Sequence, residues 1–315
     1  MAVAAGFERA NMSMTHHLHR SILGFAALLG TAIAFASPAF AQKVYSSAQA
    51  AADDLVAAAK SGRAGFVTEI FGPRGRQLVS TGDAEEDKER LAKFIEAASE
   101  KVALEDRGDT TKILIVGSRE FPFPIPIIRK SDGWSFDPVA GQREIRARVI
   151  GHNELAALGA CSGYMAAQKD YIKADRNGDR VLAYAQRIIS RPGQRDGLYW
   201  EPRWQADVSP LEGAVSDAVR AVRGGVPSYE GYVFRILRAQ GPAAPGGAHG
   251  YVINGNMIAG HALIAYPVKW GETGVMTFMC SHHGDLYQKN FGPNATRAAS
   301  QIKSFNPDAT WKLVE

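Results

Sequence analysis

Four histidines, His249, His261, His282 and His283, fall in the last third of the chain, near the ends of segments that read as strands. With Cys280 and Asp285 they offer the imidazole, thiolate and carboxylate donors that hold zinc or another transition metal. Counted outward from the Asn254-Gly255 turn, His261 comes almost opposite Ala248 and so beside His249. No HxH or HxxxH spacing links the four, so only the fold can gather them; four separate surface histidines is the alternative. A Cys280 nucleophile served by His282 or His283 is a weaker arrangement. Neighbours along a strand point to opposite faces, and no carboxylate is placed to orient the base. The sequence carries no nucleotide loop, no GxSxG elbow and no HExxH helix.

Three further sets of residues have chemical meaning. Cys161 and Cys280 are the only two cysteines. They make a disulfide if the fold brings their Cα atoms within about 7 Å, and a pair of buried thiols otherwise. Asp175, Asn177 and Asp179 present oxygens at alternate positions, like the front half of a calcium loop. Such a loop wants glycine where Arg180 stands and a bidentate glutamate where Gln186 stands, so a plain turn is the competing reading. The loops around Arg195, Asp196, Tyr199 and Trp200, and around Gly246 and Gly247, are candidate binding loops, and Trp134 with Phe136 could line a small-molecule pocket.

These residues need elements to position them. The longest runs from Asp137 to Lys173: a capping residue, proline in the first turn, then apolar residues at helical spacing. Leu155, Leu158, Cys161, Met165, Gln168 and Ile172 form its predicted stripe. Before it, helices are expected over 47–60 and 83–100, an apolar strand-like run over 66–71, and strands over 112–116, 124–129 and 133–136. Prolines 122, 124 and 126 would strip the donors from one side of a strand, giving a protected edge or a polyproline II segment. After the long helix the chain reads as ordered connection, then as antiparallel strands over 231–237, 251–253, 257–266, 275–280 and 286–289, with a closing helix near 297–305.

At the N-terminus, Arg20 and neighbouring histidines precede an apolar run from Ile22 to Phe35 and an Ala39-Phe40-Ala41 cleavage pattern. This predicts a signal peptide over 1–41, cut near Ala41-Gln42, and a periplasmic or secreted protein without a transmembrane segment in its mature form. A formal charge of +4 over 315 residues, with no basic run interleaved with aromatics, disfavours nucleic acid as a partner.

Several runs resemble a bacterial exported family known as domain of unknown function 2950. They include Phe123-Pro124-Ile125-Pro126, Gly133-Trp134-Ser135-Phe136-Asp137, Ile150-Gly151-His152-Asn153-Glu154, Arg195-Asp196-Gly197-Leu198-Tyr199-Trp200 and Gly274-Val275-Met276-Thr277-Phe278. The resemblance spans nearly the whole mature chain and implies neither an activity nor site residues. Asn153-Glu154, Ala167-Gln168, Tyr171, Gly231-Tyr232-Val233-Phe234 and Ala265-Tyr266-Pro267 further resemble the globular part of type IV pilin-like proteins, which implies a long helix laid across an antiparallel sheet. The layout of residues 42–137 resembles the cone-shaped folds related to nuclear transport factor 2.

The reading is an α+β protein: a signal peptide over 1–41, a smaller α+β unit over 42–137 with a cone-like layout as one option, and a long internal helix on a pilin-like antiparallel sheet over 138–315. Its expected role is a non-catalytic module binding an envelope protein or component, with no cofactor. The alternative is an envelope hydrolase or metal-dependent enzyme using the His/Cys cluster.

Overall fold

The computed structural model describes residues 42–204, 207–211 and 228–314; the signal-peptide prediction falls outside them. In the first part, four helices pack on one sheet. Ser47 caps α1 (Ala48–Ser61) by accepting from the Ala50 N–H, and Gly62 ends it in the left-handed conformation. The run predicted as a strand is instead α2 (Phe66–Phe71), followed by α3 (Gly75–Val79). Four apolar residues in a stretch of six do not by themselves tell a short strand from a helical turn, and Gly65 and Gly72 bound this one as a helix. Asp83 caps α4 (Ala84–Glu100) through the Glu85 and Glu86 N–H groups.

Five strands follow: β1 (Val102–Asp106), β2 (Thr111–Val116), β3 (Phe121–Pro122), β4 (Ile127–Lys130) and β5 (Gly133–Phe136). They pair in the order β1-β2-β4-β5, with β3 also on β2. The Phe123 N–H donates to Leu114 O on β2, so the nitrogens of Pro122 and Pro124 face away from it, as the edge reading expects. Phe136 is fully buried against Phe71 and Phe123 in the core of this region. It therefore fills space rather than lining a pocket.

Helix α5 (Pro138–Tyr171) is 34 residues long, or roughly 50 Å at the standard rise. Asp137 caps it through Val139 N–H and Ala140 N–H. Its first turns lie against the connection between β3 and β4, so closely that a Cβ at Gly141 would sit 2.7 Å from Ile125 Cγ1. Its second half covers the C-terminal sheet with Ala157, Cys161, Tyr164, Gln168 and Tyr171. The predicted stripe holds at Cys161 and Gln168, with Leu158 and Met165 packed at its edge, but its centre is shifted: Leu155 is 70% exposed, and Ala157, Tyr164 and Tyr171 face inward.

That sheet runs β15-β14-β13-β12-β7-β6, from β6 (Ser228–Tyr229), β7 (Tyr232–Leu237), β12 (Ala262–Pro267), β13 (Thr277–Ser281), β14 (Leu286–Lys289) and β15 (Lys312–Leu313). Two short ribbons, β8 (Ala239–Gln240) with β9 (His249–Gly250) and β10 (Val252–Ile253) with β11 (Asn256–Met257), lie between β7 and β12. Asn254 and Gly255 both have positive φ and make the predicted tight hairpin. The expected strand over 257–266 is broken by Gly260 at φ 134°, where a Cβ would strike the His282 ring at 2.5 Å. Phe234, Leu263, Phe278 and Cys280 face α5. Leu237, Ile264 and Met279 face the other way, onto Phe305, Trp311 and Ala299 of α6 (Ala295–Gln301). The sheet is therefore covered on both sides, and β12 is buried along its whole length. Among the described residues no helix is long and apolar enough to cross a membrane.

Candidate functional site

Where α5 ends, its last buried residues hold the chain that follows. Gln168 has no exposed surface. Its amide oxygen accepts from Ala185 N–H at 2.8 Å and its amide nitrogen donates to Ala185 O at 2.9 Å, so one side chain pairs as a strand would. Three residues on, the Tyr171 hydroxyl donates to Arg195 O at 2.6 Å. The same segment is tied to the hairpin from its other side: Tyr184 N–H donates to Met257 O, Gln186 Nε2 to Gly255 O, and Asn256 Nδ2 to Asp179. Three strips of chain, over 171–187, 190–196 and 253–257, are thereby fixed around one hollow.

The hollow is a cavity of about 320 Å³, a volume suited to a small ligand. Arg176, Arg187, Arg191 and Arg238 line it with Tyr171 and Tyr184, and among the described residues Asp196 is the one carboxylate in its wall. Asp196 accepts from Arg191 N–H at 2.8 Å and from Arg191 Nε at 2.6 Å, with Arg187 Nε at 3.4 Å. Burial pushes the Asp196 carboxyl up, but the Arg191 hydrogen bonds and the two guanidinium charges outweigh it and hold the group below the ordinary range. Arg176 lies over the Tyr171 and Trp200 rings. Among the described residues neither Arg176 nor Arg238 has a carboxylate partner. Burial raises the Tyr171 phenol to about 12, so it stays a neutral donor. Among the described lining residues four arginines stand against one carboxylate, an excess of positive charge carried by the forked groups that suit carboxylate and phosphate oxygens.

Of the predicted binding residues, Asp196 lines this cavity. Arg195 lies behind it, stacked over Trp200 and Trp204 and paired at 2.6 Å with the buried Asp207, whose other partners are Trp200 Nε1 and Arg203 N–H. Tyr199 and Trp200 are buried, whereas Trp204 is 57% exposed. Gly246 and Gly247 lie outside the cavity wall, in a loop that Gln240 Nε2 holds by donating to Pro245 O and Gly247 O.

The calcium-like loop is a turn. Asp175 accepts from the backbone N–H groups of Asn177, Gly178 and Arg180, and Asp179 from Val181 N–H, Asn177 Nδ2 and Asn256 Nδ2. Those bonds hold both carboxyls below their ordinary range, the largest share coming from Arg180 N–H for Asp175 and Val181 N–H for Asp179. The oxygens point at amides of their own chain, and Arg180 itself takes φ 68°.

The histidines meet as tilted and edge-on rings. His261 is 2% exposed, between Tyr164 at 5.3 Å and Tyr184 at 4.6 Å, with His282 at 5.8 Å, and among the described residues its Nδ1 has no partner. His283 lies on His282 at 4.0 Å. His249 does not pair along β12 as the turn count suggested; it pairs with Gln240, and its Nε2 is 3.3 Å from Ala259 O. The break at Gly260 displaces that register. Among the described residues no group of three His, Cys, Asp or Glu is placed to hold a metal ion. Cys161 and Cys280 are buried free thiols on the two sides of the α5–sheet interface, in the same apolar cluster.

A family model described as protein of unknown function (DUF2950) matches residues 42–314. The chain belongs to the DUF2950 family. No curated protein and no solved structure is similar enough to count as a match. In this DUF2950 protein, several of the runs noted in the sequence have visible structural work. Asn153 Nδ2 donates to Thr273 O, and Glu154 Oε1 accepts from the Val275 and Met276 N–H groups at 2.8 and 2.9 Å, locking α5 to the start of β13. The Arg195-to-Trp200 run forms the back of the arginine cavity. The cavity itself was not anticipated, although Arg176, Arg180, Arg187, Arg191 and Arg195 crowd one short segment and could have signalled it.

Proposed function

We propose that this DUF2950 protein is an exported, non-catalytic binding module. Its ligand would be a small molecule or polymer end carrying two or more carboxylate or phosphate groups, held in the arginine cavity without chemical change. The observation that carries this reading is the convergence of Arg176, Arg187, Arg191 and Arg238 on one hollow with Asp196 as the only counter-charge among the described residues of its wall. An envelope component with acidic groups has that chemistry, in keeping with the export signal read from residues 1–41. The internal helix laid across an antiparallel sheet supports the pilin-like reading of the C-terminal half, here as a rigid scaffold for loops rather than a fibre subunit. Binding is favoured over nucleophilic catalysis at the His/Cys cluster because burial pushes the Cys280 thiol well above its ordinary value, the reverse of an activated nucleophile.

Calorimetric titration of the purified protein with citrate and with inorganic pyrophosphate tests this. We expect saturable binding that weakens as sodium chloride is raised, and at least a tenfold loss in the Arg176→Ala/Arg238→Ala double variant. No heat from either probe at millimolar concentration, or equal affinity in the variant, would overturn the proposal.

A further inference from the structure

Cys161 and Cys280 come from elements far apart in the sequence, with about 120 residues of chain between them. Cys161 lies on the inward face of α5 and Cys280 on the face of β13 that α5 covers; neither has any exposed surface. Their neighbours are apolar: Leu263 and Leu286 pair with Cys280 along the sheet, and Ala157 and Tyr164 flank Cys161 on the helix. Both sulfurs lie in one buried cluster between packed elements, where the two side chains interact with each other, and among the described residues no group of three His, Cys, Asp or Glu is placed there to hold a metal ion. We infer that Cys161 and Cys280 are a disulfide-forming pair, which closes into a covalent bond between α5 and β13 when the protein folds in oxidising surroundings.

The reaction is thiol–disulfide exchange with a small or protein disulfide as oxidant. The thiolate of one cysteine attacks the oxidant and releases its first thiol. The second cysteine then attacks the mixed disulfide and releases the other. Two protein thiols lose two electrons and two protons, and the oxidant's S–S bond is reduced to two thiols. The exchange belongs to folding rather than to the finished structure. Once α5 is docked, no oxidant can reach either sulfur, and burial keeps Cys280 in its unreactive thiol form.

The test is refolding of the full chain from urea with a glutathione redox mixture, then denaturation in urea with iodoacetamide and intact-mass measurement. We expect a monomer that takes up no carbamidomethyl group until it is reduced, and two afterwards. Its thermal midpoint should drop by roughly 10 °C on reduction, as suits a cross-link closing so long a loop. The Cys161→Ala variant should show one modifiable thiol with or without oxidant and no shift on reduction. Two modified thiols in the refolded wild type, or glutathione adducts in place of the internal bond, would overturn the inference. Folded, reduced protein offered the same glutathione mixture should stay reduced; rapid closure there would overturn the claim that exchange accompanies folding.

Discussion

His261 shows how one residue's surroundings decide its chemistry. Two tyrosine rings and His282 enclose it, and among the described residues its Nδ1 has no hydrogen-bond partner. Burial, with smaller contributions from His282 and Lys169, lowers its pKa from 6.5 to about 3. Between those two values the unfolded chain holds the extra proton and the folded one does not, so stability falls as the pH drops through that window and is fully present above it. The contribution is about 1.4 kcal/mol per pH unit in the steep part. Urea unfolding of wild type and His261→Phe at several pH values checks this. The variant should be at least as stable at pH 7.5, because it removes an orphaned polar atom, and its stability should decline less between pH 6 and 4. Parallel pH profiles would refute the assignment. The four histidines were visible in the sequence as a set, but their use was not. Whether an imidazole is a ligand or a packed ring depends on the Gly260 kink, which no spacing rule supplies.

At the scale of elements, Gln168 joins α5 to the 183–189 segment by two hydrogen bonds to one residue's backbone. Gln168→Ala leaves the Ala185 N–H and C=O unpaired in a buried place, and we expect a loss of about 2–4 kcal/mol. Because the same segment carries Tyr184, Gln186 and Arg187 into the arginine cavity, pyrophosphate binding should weaken in this variant even where it remains folded. Unfolding curves and calorimetry on one preparation read both effects; unchanged values of both would count against the clamp. The helices and most strands were legible because capping residues and alternation are local: Ser47, Asp83 and Asp137 all cap where their types suggest. The shifted centre of the buried face of α5 was not legible. Leucine at 155 outweighs alanine and tyrosine on any hydropathy scale, yet close approach to the sheet selects Ala157 and Tyr164 beside the predicted Cys161. The arginine cavity was hidden for a related reason: its walls come from three strips of chain and Arg238, brought together by long-range hydrogen bonds, most of them from side chains.

In the whole molecule, α5 is common to both halves, with Gly141 against Ile125 at one end and Gln168 at the other. Neither half can lose its packing without uncovering that helix, so unfolding should be one transition. Trp134 reports on the N-terminal sheet, and Trp200, Trp270 and Trp311 on the C-terminal region; tryptophan fluorescence and far-ultraviolet circular dichroism should therefore give coincident urea curves. Separated midpoints would show instead that the halves unfold independently. The shared helix also sets an order of events during synthesis. A chain made from its N-terminus completes its first sheet by residue 136, and α5 then follows with nothing yet available to cover its second half. The strands that will cover it, β7, β12 and β13, end only at Ser281, about 110 residues after Tyr171. At roughly 5–20 residues per second that is an interval of about 5–20 s. For that time an apolar helical face bearing a free thiol stands exposed, and a holding chaperone would find its most persistent target there.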